Sequence, residues 1–443
     1  MSEIYFCDFK NVNEGIWQKI IETLSTVYPE LKSDSSGIIH LDNMSGDENN
    51  RIHSIIDASL KRNIRFYDGC EKQHNTIRKE LPMTKSGFIT QWQNIAYTVA
   101  MVKGHNLTEL YMNNFIDLRI HWKKERSRVD IYHNSTYIIS CVGAYKVLGE
   151  YFDYYEHRML GELYLDNPNN IIDLIIDNID REVYTAVVLD NYYVKDSSSY
   201  SKHHSRLRKL FYGYDIERQE LYCIGFNKNQ IFATITMSFQ ECIDAYERNK
   251  LSFGEIDVYL QEFHLKEHAK LYKFDLSSFI TKLEIYANSK KSETDEFFEN
   301  WMCNRDNDTL LYCGYDHYAS NLTYASGIEV YNVFISFLEN EMENNIQPMY
   351  QNLHAVYEHK KLLLERIIYI DTIYSVISES CLHELNQVVK TLNISRILLL
   401  KYIYLNNDID TKILRHIIDS LRYCMNTEKE ILTQIILSLQ KLV

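Results

Sequence analysis

Residues 349–443 contain neither proline nor glycine, and the whole 443-residue chain has only 4 Pro and 14 Gly. Proline removes a backbone donor and clashes with the preceding helical turn, and glycine weakens regular elements through its conformational freedom. A stretch this long without either is free to form long helices and strands. Collagen-like, Pro-rich and Gly/Ser-linker architectures are excluded. Hydrophobic residues at 45% and charged residues at 24% match a globular chain and exclude one that is wholly disordered. At roughly 150 residues per domain, the length predicts two or three domains.

The formal net charge is −14, from 47 basic and 61 acidic residues. Such a balance disfavours a nucleic-acid partner, which needs a basic face. Nine cysteines are scattered along the chain without a CxxC pair, which argues against a disulfide framework or a zinc ribbon and favours a reducing cytoplasm. The start MSEIYFCDFKNVNEGIW lacks the basic and apolar regions of a signal peptide, and no apolar run approaches the ~20 residues of a membrane span, so no membrane partner is expected.

Composition and periodicity divide the chain into three. Residues 1–80 form a small mixed α/β extension, with a strand at IYFCDF and helices at EGIWQKIIETLSTVY and RIHSIIDASLKRNIRFY, and Pro82 offers a boundary. In 81–275, helices are expected at WQNIAYTVAMV, SCVGAYKVLGEYFDYY and IIDLIIDNID. The β-branched run TAVVLDNYYV then predicts a strand, and KLFYGYD, ELYCIGF and QIFATITMSF predict an antiparallel meander. Helices followed by a small sheet indicate an α+β domain. Residues 276–443 are expected to be mainly helical, with KKLLLERIIYIDTIYSVIS, DTKILRHIIDSLRYCM and EKEILTQIILSLQKLV as separate helices. Thr427 and Glu430 have the spacing of a capping box, which places a helix start there.

Few chemical motifs stand out. HLKEH at 264–268 has the spacing of two histidines on one helix face, but no partner ligand is evident, so no metal is expected. KKERSR at 123–128 is a solvated basic run without interleaved aromatics. GxGxxG, GxxxxGK[ST] and GxSxG are all absent, which removes support for nucleotide binding and for α/β-hydrolase chemistry; no cofactor is expected.

Residues 168–246 carry the most information. Asp190, Tyr192 and Tyr193 close the apolar run. Tyr200, Lys202 and His204 follow in a loop, Tyr212 to Asp215 spell YGYD, and Ala245 with Tyr246 lie in a later helix. This order resembles a papain-like family found in nonribosomal-peptide and related natural-product gene clusters of bacteria, the butirosin biosynthesis protein H group among them. ASGIEVYNVFISFLEN and YEHKKLLLERIIYID resemble two later helices of that family, so the resemblance spans about residues 80–443. It implies an α+β papain-like cysteine-protease fold with a small antiparallel sheet, plus a helical C-terminal domain.

For intact members it also implies a thiol-dependent acyltransferase or amide-forming enzyme, in which a cysteine, an imidazole and an orienting side chain cooperate. Here Trp92 falls where the family's cysteine is expected. Leu207, six residues before Gly213, stands at the general base, and Gly225 stands at the orienting Asp. Trp and Leu cannot perform nucleophilic or proton-transfer chemistry. The expectation is therefore a catalytically degenerate protein that binds an acyl or peptidyl substrate, a carrier protein or an active paralogue. Asp190, Tyr192, Tyr193, Tyr200 and Tyr212 are its candidate lining residues. A displaced catalytic site is the alternative. Cys141 opens a predicted helix, where a thiol pKa falls, and His203 and His204 lie 62 and 63 residues further on. An interaction protein outside biosynthesis is a third possibility, and homo-oligomerisation stays open.

Overall fold

A computed structural model of the chain describes residues 3–4, 32–33, 39–40, 76–85, 93–114, 118–123, 137–140, 155–160, 170–253, 260–265, 267–290, 322–344, 346, 348–404 and 411–443. Its strands begin with β1 (Glu3–Ile4), β2 (Lys32–Ser33), β3 (Ile39–His40) and β4 (Arg78–Glu80). β5 (Arg119–Lys123), β6 (Tyr137–Ser140), β7 (Tyr155–Leu160), β8 (Val183–Asp190) and β9 (Arg206–Asp215) follow. β10 (Glu220–Phe226), β11 (Phe232–Ser238), β12 (Leu260–Leu265) and β13 (Leu322–Ser326) complete them. The helices are α1 (Gln93–Gly104), α2 (Thr108–Asn113), α3 (Asn170–Asp180), α4 (Phe239–Phe253) and α5 (Leu276–Ala287). α6 (Glu329–Glu343), α7 (Tyr350–Tyr374), α8 (Glu379–Tyr404) and α9 (Lys412–Leu439) form the C-terminal part. The architecture is α+β, as expected.

These elements belong to two compact units, Met1–Gln93 with Tyr154–Glu267, and Asn94–Asp153 with His268–Val443. The units do not follow the three-way division in chain order, because 94–153 groups with the C-terminal helices. In the first unit an antiparallel sheet runs β11-β10-β9-β8-β12-β7, and β4 pairs with the end of β9 that extends past β8. The predicted meander forms as β9, β10 and β11. β4 joins the same sheet just before the proposed boundary at Pro82, whose carbonyl accepts the Tyr184 hydroxyl at 2.6 Å.

The helix α3 forms from NIIDLIIDNID because Ile171, Ile175 and Ile179 recur at the helical period, and all three are buried. Each such side chain contributes about 1.5–3 kcal/mol of burial. Asn178 is the polar member of this face. It donates at 2.9 Å to both Thr185 Oγ1 on β8 and Glu262 Oε1 on β12, so the helix is fixed in register over two strands.

Two elements expected in 81–275 differ. HLKEH is not a helix face: His264 lies on β12, paired to Val183 and Glu156, and a 3-10 turn begins at Glu267. The predicted helix at SCVGAYKVLGEYFDYY meets strands at both ends, since Ser140 closes β6 and Tyr155 opens β7; the residues between lie outside those described. The calls at IYFCDF, EGIWQKIIETLSTVY and RIHSIIDASLKRNIRFY are outside them too, apart from Ile4 in β1.

In the second unit β13, β5 and β6 form a separate antiparallel sheet, and long helices build the core. The predicted start at Thr427 does not occur. α9 runs unbroken from Lys412 to Leu439, with Leu414, Ile417, Leu421, Cys424, Ile431, Leu432 and Ile435 buried. Glu428 interrupts the apolar period, and that interruption resembles a boundary in the sequence. Its carboxylate is instead fully buried and paired with Lys360 of α7 at 2.9 Å. The hydroxyls of Tyr286 and Tyr331 donate to it at 2.7 and 2.8 Å.

Gly327, which precedes α6, explains the GIEVY segment. Its φ of +66° suits glycine, and a Cβ there would lie 2.3 Å from the Tyr286 carbonyl oxygen. Arg366 explains the segment HKKLLLER. Fully buried, it donates to the carbonyls of Asn114 (2.6 Å), Tyr111 (3.0 Å) and Leu362 (2.8 Å). It thereby serves the carbonyls at the C-terminal end of α2, where a cation also complements the helix dipole.

Candidate functional site

The ends of β8 and β9 meet because the two strands are antiparallel neighbours, with Asp190 opposite Arg206. The backbone bond from Asn191 N–H to the Ser205 carbonyl, at 2.8 Å, closes the loop between them. Asp190 and His204 are thereby brought together. His204 Nδ1 donates to Asp190 Oδ2 at 2.6 Å. Asp190 is fully buried, and its Oδ1 accepts the backbone N–H groups of Tyr192 (3.1 Å) and Ser205 (3.3 Å). A desolvated carboxylate stays favourable when such fixed donors satisfy it.

The imidazole leans the other way, with 45% of its side chain exposed. Tyr192 stacks on it, ring centroids 4.5 Å apart and planes 24° from parallel, and the Tyr193 ring lies 6.1 Å away. The ring is thus held by a carboxylate at its edge and an aromatic plane on its face. The carboxylate at Nδ1 fixes the orientation of the ring.

The loop behind this pair is polar and ordered by its own serines. Ser205 Oγ donates to Ser199 Oγ at 2.8 Å, and His203 Nε2 lies 3.1 Å from the same oxygen. Asn191 is fully buried, yet among the described residues neither its Oδ1 nor its Nδ2 has a hydrogen-bond partner. Unpaired buried polar atoms ordinarily cost about 1–3 kcal/mol each.

Two of the positions that the resemblance assigns to catalysis, Leu207 and Gly225, lie on β9 and β10. Leu207 pairs with Leu189, and by strand alternation it shares a face with Lys209 and Phe211, the face toward which Asn178 bonds Thr185. Gly225 falls opposite Lys209. A Cβ at Gly225 would lie 2.6 Å from Lys209 Cδ and 3.1 Å from its Nζ. The fully buried Lys209 donates to the Phe226 carbonyl at 2.7 Å, and loss of hydration holds its ammonium pKa below the ordinary lysine value. A lysine side chain fills the space an orienting carboxylate would need.

Among the other candidates, Tyr200 is exposed in the same loop as His204, and Ser201 N–H bonds back to the Tyr192 carbonyl at 3.0 Å. Tyr212 is separate. It is the extra residue at the bulge between β9 and β10, about 20 Å along the strand from Arg206 at roughly 3.3 Å per residue, and burial pushes its phenol up to about 12. Cys141 and Trp92 lie outside the described residues. Of the described cysteines, Cys223, Cys242, Cys381 and Cys424 are buried. Burial pushes the Cys223 and Cys424 thiols up to about 12 and Cys242 well above its ordinary value, the opposite of a poised nucleophile. Among the described residues no group of three or more His, Cys, Asp or Glu is placed to hold a metal ion, and no helix is long and apolar enough to cross a membrane.

The sequence reading places Asp190 among lining residues and seeks the orienting carboxylate at 225. An Asp that ends one strand and a His that precedes the next come together only where those two strands pair, as β8 and β9 do.

No family model matches the chain, and no curated protein matches it.

Proposed function

We propose that this chain is a papain-like protein of bacterial peptide or acyl natural-product biosynthesis whose standard thiol site has been lost. It binds an acyl or peptidyl substrate, a carrier protein or an active paralogue. The observation that supports this reading is the Lys209 side chain at Gly225, which leaves no room for an orienting carboxylate there, while Leu207 occupies the base position on the same face. Leu207 and the Lys209 side chain packed at Gly225 suit recognition without covalent chemistry.

The second reading is an active thiol acyltransferase using Cys141 with His204, and the Asp190 carboxylate on His204 favours it. Incubation with an S-acyl-pantetheine probe, read by intact mass, separates the two. Binding without covalent adduct supports the degenerate protein. A stoichiometric acyl adduct that disappears in Cys141→Ala overturns it.

A further inference from the structure

We propose that the outer face of α8 is a docking seam for an acidic amphipathic helix of a partner protein. α8 carries two seams, two residues out of phase. Leu385, Val388, Leu392, Ser395, Leu399 and Tyr402 alternate by three and four residues and are buried. Lys390, Ile394, Ile397, Lys401 and Tyr404 repeat that alternation and are all exposed. Two residues turn a helix by about 200°, so the second seam lies opposite the first. Single exposed apolar side chains are ordinary. Here Ile394 and Ile397 lie one turn apart, 55% and 54% exposed, and Tyr404 continues the row at 81%. A seam with this alternation is the surface against which a second helix packs its own side chains.

Charge selects the partner. The chain carries a net −14, yet no acidic residue stands between Glu384 and Asp408. Lys390 and Lys401 bracket the two isoleucines within the seam. The third cation of the stretch, Arg396, is taken up by α7: it donates to His354 Nδ1 at 2.9 Å and lies 4.5 Å from the centroid of the Tyr357 ring. α9 runs antiparallel to α8, with the Cys424 thiol donating to the Val388 carbonyl at 3.8 Å and the Cys381 thiol to Gln434 Oε1 at 3.3 Å. The exposed Arg415 of α9 therefore stands level with Ile397. The first acid of α9, Asp419, is already paired with Arg422 at 3.1 Å. A second copy of the chain fits the seam badly. Antiparallel pairing centred on the isoleucines sets Lys390 against Lys401, and parallel pairing sets each lysine against itself; like charges so opposed cost affinity. A helix with an apolar stripe flanked by carboxylates matches both the isoleucines and the lysines. The seam and its charge are independent of the papain-like reading.

The test uses a synthetic three-heptad peptide with Leu at the a and d positions and Glu at the flanking e and g positions, and a twin with Lys in place of Glu. Binding to the full-length protein is read by fluorescence anisotropy. The Glu peptide is expected to bind and the Lys peptide not to. Ile394→Ser/Ile397→Ser should weaken binding about tenfold or more, as truncation of paired interface anchors does. Lys390→Glu/Lys401→Glu keeps the apolar pair and should exchange the preference, taking the Lys peptide over the Glu peptide; this exchange cannot arise from a loss of folding. No binding of the Glu peptide, equal binding of the two peptides, or binding unchanged in both variants overturns the proposal. So does a dimer in sedimentation that Ile394→Ser/Ile397→Ser abolishes, which would assign the seam to a second copy. Binding to phosphatidylglycerol vesicles without binding to the Glu peptide overturns it in favour of a lipid surface.

Discussion

Lys360 on α7 and Glu428 on α9 form an ion pair at 2.9 Å in which neither side chain has any exposure. Tyr286 and Tyr331 complete the shell of the carboxylate, and the ammonium lies 4.5 and 5.0 Å from the centroids of their rings. The Lys360 amine also contacts the Tyr286 hydroxyl directly. Four elements, α5, α6, α7 and α9, therefore meet at one carboxylate.

Breaking this pair from one side leaves a buried charge, whereas removing both partners leaves an apolar gap that Leu and Met can fill. Glu428→Leu or Lys360→Met alone should each cost about 3–5 kcal/mol, and the double variant should recover most of the loss. Urea unfolding of the four proteins in a double-mutant cycle measures this. Additive losses would show that the pair does not act as a unit. Tyr331→Phe should cost less, about 1–3 kcal/mol, because it removes a single donor to an ionised group.

Gly225 and Lys209 make a second, steric test. A Cβ at 225 would stand 2.6 Å from Cδ of a lysine whose Nζ is already tied to the Phe226 carbonyl, so the side chain cannot simply swing away. Gly225→Ala should destabilise the first unit by about 1–3 kcal/mol through overpacking. Shortening the opposing side chain in Gly225→Ala/Lys209→Ala should reduce that increment relative to Lys209→Ala alone. Thermal unfolding of the four proteins decides it; an increment that is unchanged by the lysine truncation would place the strain elsewhere.

Strand and helix periods were legible wherever one face alone is apolar, as in α3 and in the three-strand meander. β4, β7 and β12 were not, because short strands completed by distant partners carry little local signal: Arg78–Glu80 is a strand only through its pairing with β9. Helix α8 escaped for a related reason, since no motif and no breaker marks its ends. The histidine of the candidate site was visible as a residue, but its carboxylate was sought on β10. The family pattern drew attention to position 225, and only the pairing of β8 with β9 reveals Asp190 as the partner. Motif residues of the C-terminal helices, Tyr331, Lys360 and Arg366, turn out to be buried pins of the core, a role that their polarity disguises in the sequence.

Thr427 tests the continuity of α9. Were it a helix N-cap, Thr427→Ala would cost about 1 kcal/mol. It lies inside an unbroken helix, where alanine is the better helix former, so the substitution should change stability by less than about 0.5 kcal/mol. Denaturant midpoints with an unchanged slope measure this. A loss of the N-cap size would mean that the helix divides at 427.

Lys209 makes the stability of the first unit depend on pH in a direction that can be worked out. Burial lowers its pKa in the folded state below the ordinary 10.5. Between the folded and unfolded values the unfolded chain holds a proton that the folded chain has lost, so stability rises with pH through that window. Below the folded value both states are protonated and the full cost of the buried ammonium is present; above 10.5 both are neutral and the cost is gone. Lys209→Met removes the titrating group and keeps much of the side-chain volume. The stability of wild type minus that of Lys209→Met should therefore increase from pH 7 to pH 10.5, with every other titrating group cancelling in the difference. Urea unfolding of both proteins at pH 7, 8.5 and 10 checks it. A difference that is flat over this range would mean that the amine has the same proton affinity folded and unfolded, and that the Phe226 carbonyl compensates its burial completely.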